Sequence, residues 1–153
     1  MNRQLIISVG LIQYEDRFLL TRRFNPEHPQ WHQRWEFPGG KIEPQELPLE
    51  ALHREVLEET NLTINTPQLL GVYTHFWELE KGTQQTFILV YHCFADHPHV
   101  QLNPDENDAH VWMDPNNILE MDNLLDGTMA ILKEFYLKPL SNGDGLRNCA
   151  TIN

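Results

Sequence analysis

The residues whose types and spacing bear on chemistry are gathered in one segment: Glu46, then Arg54, Glu55, Glu58 and Glu59. At about 3.6 residues per turn, positions 55, 58 and 59 stand at i, i+3 and i+4, so a helix through them carries three carboxylates on or beside one face. Like charges so placed repel one another. They are tolerated where water solvates the face, and they gain a purpose where a hard cation such as Mg²⁺ takes their oxygens as ligands. Spacing alone leaves both readings open, and Arg54 can offset part of the repulsion in either. The chain carries 11 Lys and Arg against 22 Asp and Glu, a formal charge of −11. That sign opposes binding to bulk nucleic acid, which depends on phosphate neutralisation by basic side chains. A small phosphorylated substrate remains compatible if divalent cations invert the local electrostatics.

The acidic residues need a helix to align them. Leu49, Leu52 and Val56 recur with helical period, Pro48 suits a first helical position, and Asn61 suits a closing one. The spacing predicts a helix over 47–60. Ahead of it, apolar runs at 5–12 and 17–23 predict an N-terminal hairpin, and 25–34 reads as a loop containing Trp31 and His32 that leads into Trp35. Downstream, a turn is predicted at Pro67, followed by strands over 68–79 and 86–94 joined through 80–83. A short strand is predicted over 110–113, a helix start at Asp114-Pro115 and a closing helix over 127–137. Strands mixed with a few helices predict an α/β sandwich, with a single domain over 1–138 and a polar tail over 139–153.

Forty-one per cent of the 153 residues are apolar, enough for a sizeable core, but no run approaches a membrane span. No apolar segment followed by a small-residue cleavage site marks the N-terminus, so a cytoplasmic location is expected. Cys93 and Cys149 are read as reduced thiols. The spacing of Cys93, His97 and His99 is not taken as a zinc site, because structural zinc sites usually show four ligands.

The wider pattern is more specific than the glutamates. From Gly40, five residues precede Glu46, seven more precede Arg54-Glu55, then follow Val56, one residue, Glu58-Glu59, one residue, Asn61 and Leu62. This closely resembles the Nudix box, departing from it at Asn61, where the pattern has glycine. Asparagine also visits the left-handed conformation, so the departure bears on the local turn alone. A second departure is Leu47-Pro48, in place of the Ser or Thr cap common in the family, so the helix start is expected to rest on Pro48 and a nearby carboxylate. Residues 35–43, WEFPGGKIE, resemble the matching segment of MutT-type and CTP-pyrophosphohydrolase-type Nudix enzymes.

The resemblance implies a Nudix α/β/α sandwich, a mixed β-sheet flanked by helices, and hydrolysis of a nucleoside diphosphate linked to another moiety. It implies Glu55, Glu58 and Glu59 as Mg²⁺ or Mn²⁺ ligands, with the Gly40 carbonyl. Arg54 and Glu46 would orient the cluster. Glu106, six residues before Trp112, matches a loop glutamate that binds metal or acts as base in MutT-like relatives. Arg23 and Lys41 would approach the substrate, Phe37 would stack on a base, and Asp126 would read its edge. The expected reaction is release of pyrophosphate from a modified or surplus nucleoside triphosphate such as 8-oxo-dGTP, by a monomer or homodimer. CTP or dCTP, dihydroneopterin triphosphate and a dinucleoside polyphosphate are alternatives, as is a noncatalytic module that binds nucleotide or metal.

Overall fold

The computed structural model describes residues 2–137 and 150–151. Among the described residues, eight strands form one mixed sheet: β1 (Arg3–Tyr14), β2 (Arg17–Arg23), β3 (Trp35–Glu36), β4 (Gly39–Lys41), β5 (Ile64–Leu79), β6 (Gly82–Ala95), β7 (Asn107–Met113) and β8 (Ala150–Thr151). β1 runs parallel to β6 and β5 pairs antiparallel with β6, while β2 pairs antiparallel with β7. Side-chain alternation along a strand sends successive residues to opposite faces. Leu11, Phe18, Leu20, Val90 and Phe37 therefore pack on one face, with Ile118, Ile131 and Leu132 from α2 (Pro115–Ile118) and α3 (Thr128–Leu132). Ile12, Leu19, Tyr91 and Cys93 pack on the other, beneath Leu52 and Val56 of α1 (Pro48–Thr60). The expected α/β/α sandwich is the architecture observed.

The N-terminal hairpin forms, but β1 and β2 pair directly only at Gln13–Phe18 and Tyr14–Arg17. Beyond that point they part, and the segment 35–41 fills the gap: Trp35 and Glu36 pair with Arg22 and Thr21, whereas Gly39, Gly40 and Lys41 pair with Val9, Ser8 and Ile7. Gly39 is required at this crossing. A Cβ there would stand 2.1 Å from the Ser8 carbonyl oxygen, and the residue has a φ of 153°.

Helix α1 starts and stops much as its residues imply. Pro48 occupies the first turn, and in place of a side-chain cap at Leu47 the Glu50 carboxylate accepts the Leu47 N–H at 2.9 Å. Ser8 Oγ donates to the Pro48 carbonyl at 2.8 Å and ties the helix start to β1. Asn61 closes the helix with φ 59°, its N–H donating to the Leu57 carbonyl. Two more terminal carbonyls, otherwise unpaired at a helix end, accept from the chain after β6: Gln101 N–H donates to Thr60 and Asn103 N–H to Glu59.

Several boundaries differ from expectation. Pro67 makes no turn. It lies inside β5, where pairing with β6 skips between Asn65 and Gln68 and Thr66 takes a φ of 45°, so the missing N–H falls in an irregular stretch. β5 and β6 are longer than predicted, with Leu79 paired to Gly82 across a two-residue turn. β7 begins at Asn107, and the closing helix is α-helical only to Leu132 before a π-helical turn, Lys133–Leu137. Apart from Ala150–Thr151, which pair in parallel with Tyr73 and Thr74, the tail over 139–153 lies outside the described residues. Leu52 is fully buried between α1 and the sheet. Leu52→Ala is expected to lower the unfolding free energy by ~2–5 kcal/mol in urea denaturation, as cavity-forming core truncations do.

Candidate active site

Glu55, Glu59 and Glu106 bring carboxylate oxygens within 4.8 Å of one another. Glu55 and Glu59 come from the last two turns of α1, and Glu106 from the loop that immediately precedes β7. The same backbone bonds that satisfy the end of α1 place that loop: with Asn103 held on Glu59, the Glu106 and Asn107 N–H groups both donate back to Asn103, and the Glu106 carbonyl accepts from Phe24. Sequence-distant carboxylates are thus brought together by helix capping.

The cluster is electrostatically unfavourable on its own. Burial pushes the Glu59 carboxyl well above the usual range, and Glu36, Glu55 and Glu106 push it further. Desolvation raises Glu55 and Glu106 as well, each with added repulsion from Glu58. The carboxylates also stand at the negative end of the α1 dipole, with no basic residue in its last turn. Three oxygen donors in such surroundings match what a hard divalent cation requires, so the donor set fits the metal that the sequence pattern implies.

Arg54 is the organiser beside them. Its Nε and Nη2 bind both oxygens of Glu46 at 2.7 and 2.9 Å, Nη1 donates to Glu55 at 2.9 Å and to Glu58 at 3.3 Å, and Nη2 also donates to the Lys41 carbonyl at 3.0 Å. The bidentate contact and a backbone bond from Glu43 hold the Glu46 carboxyl down at about 2. Gly40 faces this group closely: a Cβ there would stand 2.4 Å from Glu55 Cδ. Glu58, expected as a ligand, lies outside the close cluster, half exposed and turned to Arg54.

A cavity of about 270 Å³ begins beside Gly40 and Lys41 and reaches Arg23, Glu36, Phe37 and Asp126. Arg23 Nη2 binds Glu36 Oε1 at 2.7 Å, so this arginine is engaged with a neighbouring carboxylate. Phe37 borders the cavity from the core, 3% exposed and edge-on to Phe18. Asp126 reaches the wall because Trp35 N–H donates to the Asn123 carbonyl and Leu125 N–H to that of Trp35. Trp31 and Trp77 complete the aromatic side, their rings edge-on at 5.9 Å. Glu36 and Trp77 line the cavity too, and sequence reasoning missed them, since a carboxylate inside WEFPGG and an aromatic in a long strand carry no spacing signal. Cys93 is buried in the core with its thiol pushed up to about 12, while His97 and His99 are exposed and stack on each other.

The NUDIX domain family matches residues 4–134. A MutT-like protein of Streptomyces ambofaciens is 31% identical over 112 residues, covering 72% of this chain, which spans 64% of that relative's length. The CTP pyrophosphohydrolase of Escherichia coli strain K12 is 27% identical over 77% of this chain and 82% of its own. The crystal structure of the MutT protein from Methanosarcina mazei Go1 superimposes with a TM-score of 0.74 at 28% identity, over 88% of this chain and 94% of that one.

Two outcomes follow from the geometry. Gly40→Ala must displace the Glu55 carboxylate, so Mn²⁺ affinity in an electron paramagnetic resonance titration is expected to fall at least ~10-fold, the scale of lost ligand support. In chelator-treated protein, the raised Glu59, Glu55 and Glu106 groups bind protons more readily folded than unfolded. Their stabilising contribution is therefore full below the unfolded carboxylate range and lost as pH rises through the folded values. Thermal melts are expected to show the melting temperature falling from pH 5 to 8, and saturating Mg²⁺ should flatten that slope.

Proposed function

Because the chain belongs to the NUDIX family of hydrolases acting on phosphoric anhydride bonds, we propose that it is a Mg²⁺-dependent nucleoside triphosphate pyrophosphohydrolase acting in the cytoplasm. Its products are a nucleoside monophosphate and pyrophosphate, with 8-oxo-dGTP as the leading substrate. The observation that carries the reading is the carboxylate cluster of Glu55, Glu59 and Glu106 standing beside a cavity of about 270 Å³ that Gly40 and Lys41 line. Gly40 adjoins both, its face against Glu55 and its backbone in the cavity wall. Phosphates at the cluster and a base in the cavity occupy neighbouring places. CTP is a second candidate, favoured by the similarity to a CTP pyrophosphohydrolase.

Nudix hydrolases use divalent metal ions, and Glu55, Glu59 and Glu106, with Glu58 and the Gly40 carbonyl at the edge, are the groups that would hold one here. Such an ion supplies charge neutralisation at the phosphates and polarises the attacking water. The residues of the chain do the rest. Arg54 fixes the Glu55 carboxylate while Glu46 fixes Arg54, so the acidic face is held without rearrangement during the reaction. Glu106, on the exposed side of the cluster, is the group that would accept the proton from water. In-line attack at phosphorus forms one P–O bond and breaks the α–β anhydride, with pyrophosphate leaving.

The test is product analysis with Mg²⁺ against 8-oxo-dGTP, dGTP, CTP, dCTP, dihydroneopterin triphosphate and diadenosine polyphosphate, scoring pyrophosphate apart from orthophosphate. The expected result is monophosphate plus pyrophosphate, abolished by chelator. Glu59→Gln is expected to lower kcat by at least ~100-fold with the fold intact, on the scale of losing one charge-stabilising group. Turnover that survives the chelator, or orthophosphate as the product, would contradict the reading.

A further inference from the structure

The loop over 25–34 is wound on itself: His28 N–H donates to the Asn25 carbonyl, and Trp31 and His32 N–H both donate to that of His28. One further bond reaches back to the end of β2. Asn25 N–H, half-buried, donates to His32 Nδ1 at 3.0 Å, and the His32 ring stands edge-on to Phe24 with centroids 5.5 Å apart. His32 thus holds both residues that follow β2 directly.

Those residues bear on the acidic cluster. Phe24 N–H donates to the Glu106 carbonyl at 2.8 Å, just past a register shift between Arg22 and Arg23 in the pairing of β2 with β7. Each peptide unit is planar, so a bond to either of its ends orients the whole plane. Gln33 N–H on the Arg23 carbonyl orients the plane that carries Phe24 N–H, and Asn25 N–H on His32 orients the next. Phe24 is therefore clamped from both sides by neighbouring residues of one loop. Glu106 in turn has two backbone anchors, its N–H on the Asn103 carbonyl and its carbonyl on Phe24. Both oppose an outward drive, because Glu58 and Asp105 repel its exposed carboxylate, which itself repels Glu55 and Glu59.

We propose that His32 is a positioning residue for the divalent-cation site: by holding Asn25 N–H and the Phe24 ring, it keeps the Glu106 carbonyl anchored and its carboxylate beside Glu55 and Glu59. His32 acts through Phe24 and Glu106 and touches neither ion nor substrate. The inference rests on the metal-dependent reading above and extends it to a histidine far from the acidic helix in sequence. Coupling of this kind is reciprocal. An anchor that favours cation binding is itself favoured, by the same factor, when a cation binds.

The experiment measures Mn²⁺ dissociation constants by electron paramagnetic resonance, which needs no turnover. His32→Leu keeps bulk and removes the acceptor, whereas His32→Asn sets Oδ1 as many bonds from the backbone as Nδ1. The leucine variant is expected to bind Mn²⁺ at least ~10-fold more weakly, the scale of lost ligand support. The asparagine variant is expected to return within ~3-fold of the wild-type protein, since it restores the hydrogen bond. In Glu106→Gln protein, His32→Leu is expected to cost less than a further ~2-fold, because the group it positions is already gone. If the leucine variant fails to fold, amide exchange in the wild-type protein decides: Mg²⁺ saturation is expected to slow exchange at Phe24 and Asn25 at least ~10-fold relative to chelated protein. Unchanged Mn²⁺ affinity in folded His32→Leu, no recovery with His32→Asn, an equal loss in the Glu106→Gln background, or exchange indifferent to Mg²⁺ overturns the inference, while Mn²⁺ binding by the wild-type protein leaves the function standing. Absence of Mn²⁺ binding by the wild-type protein overturns the two together.

Discussion

A carboxylate held out of water beside two others is the constraint on which the rest of this structure depends. Glu59 is 9% exposed, close to Glu55 and Glu106, and sits at the negative end of a helix. Water cannot solvate such a group as it does a surface glutamate, and an isolated buried charge strongly favours neutralisation. The arrangement persists because the surrounding framework is stable in its own right: the helix is wedged against the sheet by Leu52 and Val56, and its end is capped by backbone from the loop after β6. Helix packing and capping thus hold together charges that would otherwise separate. The strain is electrostatic, of the kind that a bound divalent cation would relieve.

Arg54 distributes that strain. By binding both oxygens of Glu46, one of Glu55, one of Glu58 and the Lys41 carbonyl, it joins the strand-to-helix loop to the helix face. Lysine could not reproduce these contacts, because a point ammonium has no planar fork. The glycines before the helix serve the same geometry. At Gly39 the chain presses against the Ser8 backbone, and at Gly40 it presses against the Glu55 carboxylate, so neither position has room for a side chain. Between them they bring the cavity wall and the acidic face into contact.

Much of this framework was legible in the residues. Period and end chemistry placed α1 within a residue of its observed bounds, with Asn61 in the left-handed conformation expected of it. The sandwich followed from the order of strands and helices, and the Nudix resemblance named most of the acidic residues. What was illegible depends on tertiary context. Helical spacing puts Glu55, Glu58 and Glu59 on one face but cannot tell which of them joins Glu106: Glu55 and Glu59 do, while Glu58 stays half exposed on Arg54. Pro67 reads as a turn because proline breaks ladders, yet an irregular stretch of β5 absorbs it. Glu36 carries no spacing signal, and its place in the cavity wall with Trp31 becomes visible only when the loop over 25–34 is folded against β2 and β5.

The central claim is that Glu55, Glu59 and Glu106 are held together to bind a divalent cation. Its most direct test is anomalous diffraction at the manganese edge from crystals soaked in Mn²⁺. The account predicts a peak within coordination distance of carboxylate oxygens from Glu55, Glu59 and Glu106. A cluster that stays empty at saturating Mn²⁺, or a peak held elsewhere while these three carboxylates separate into solvent, would contradict it.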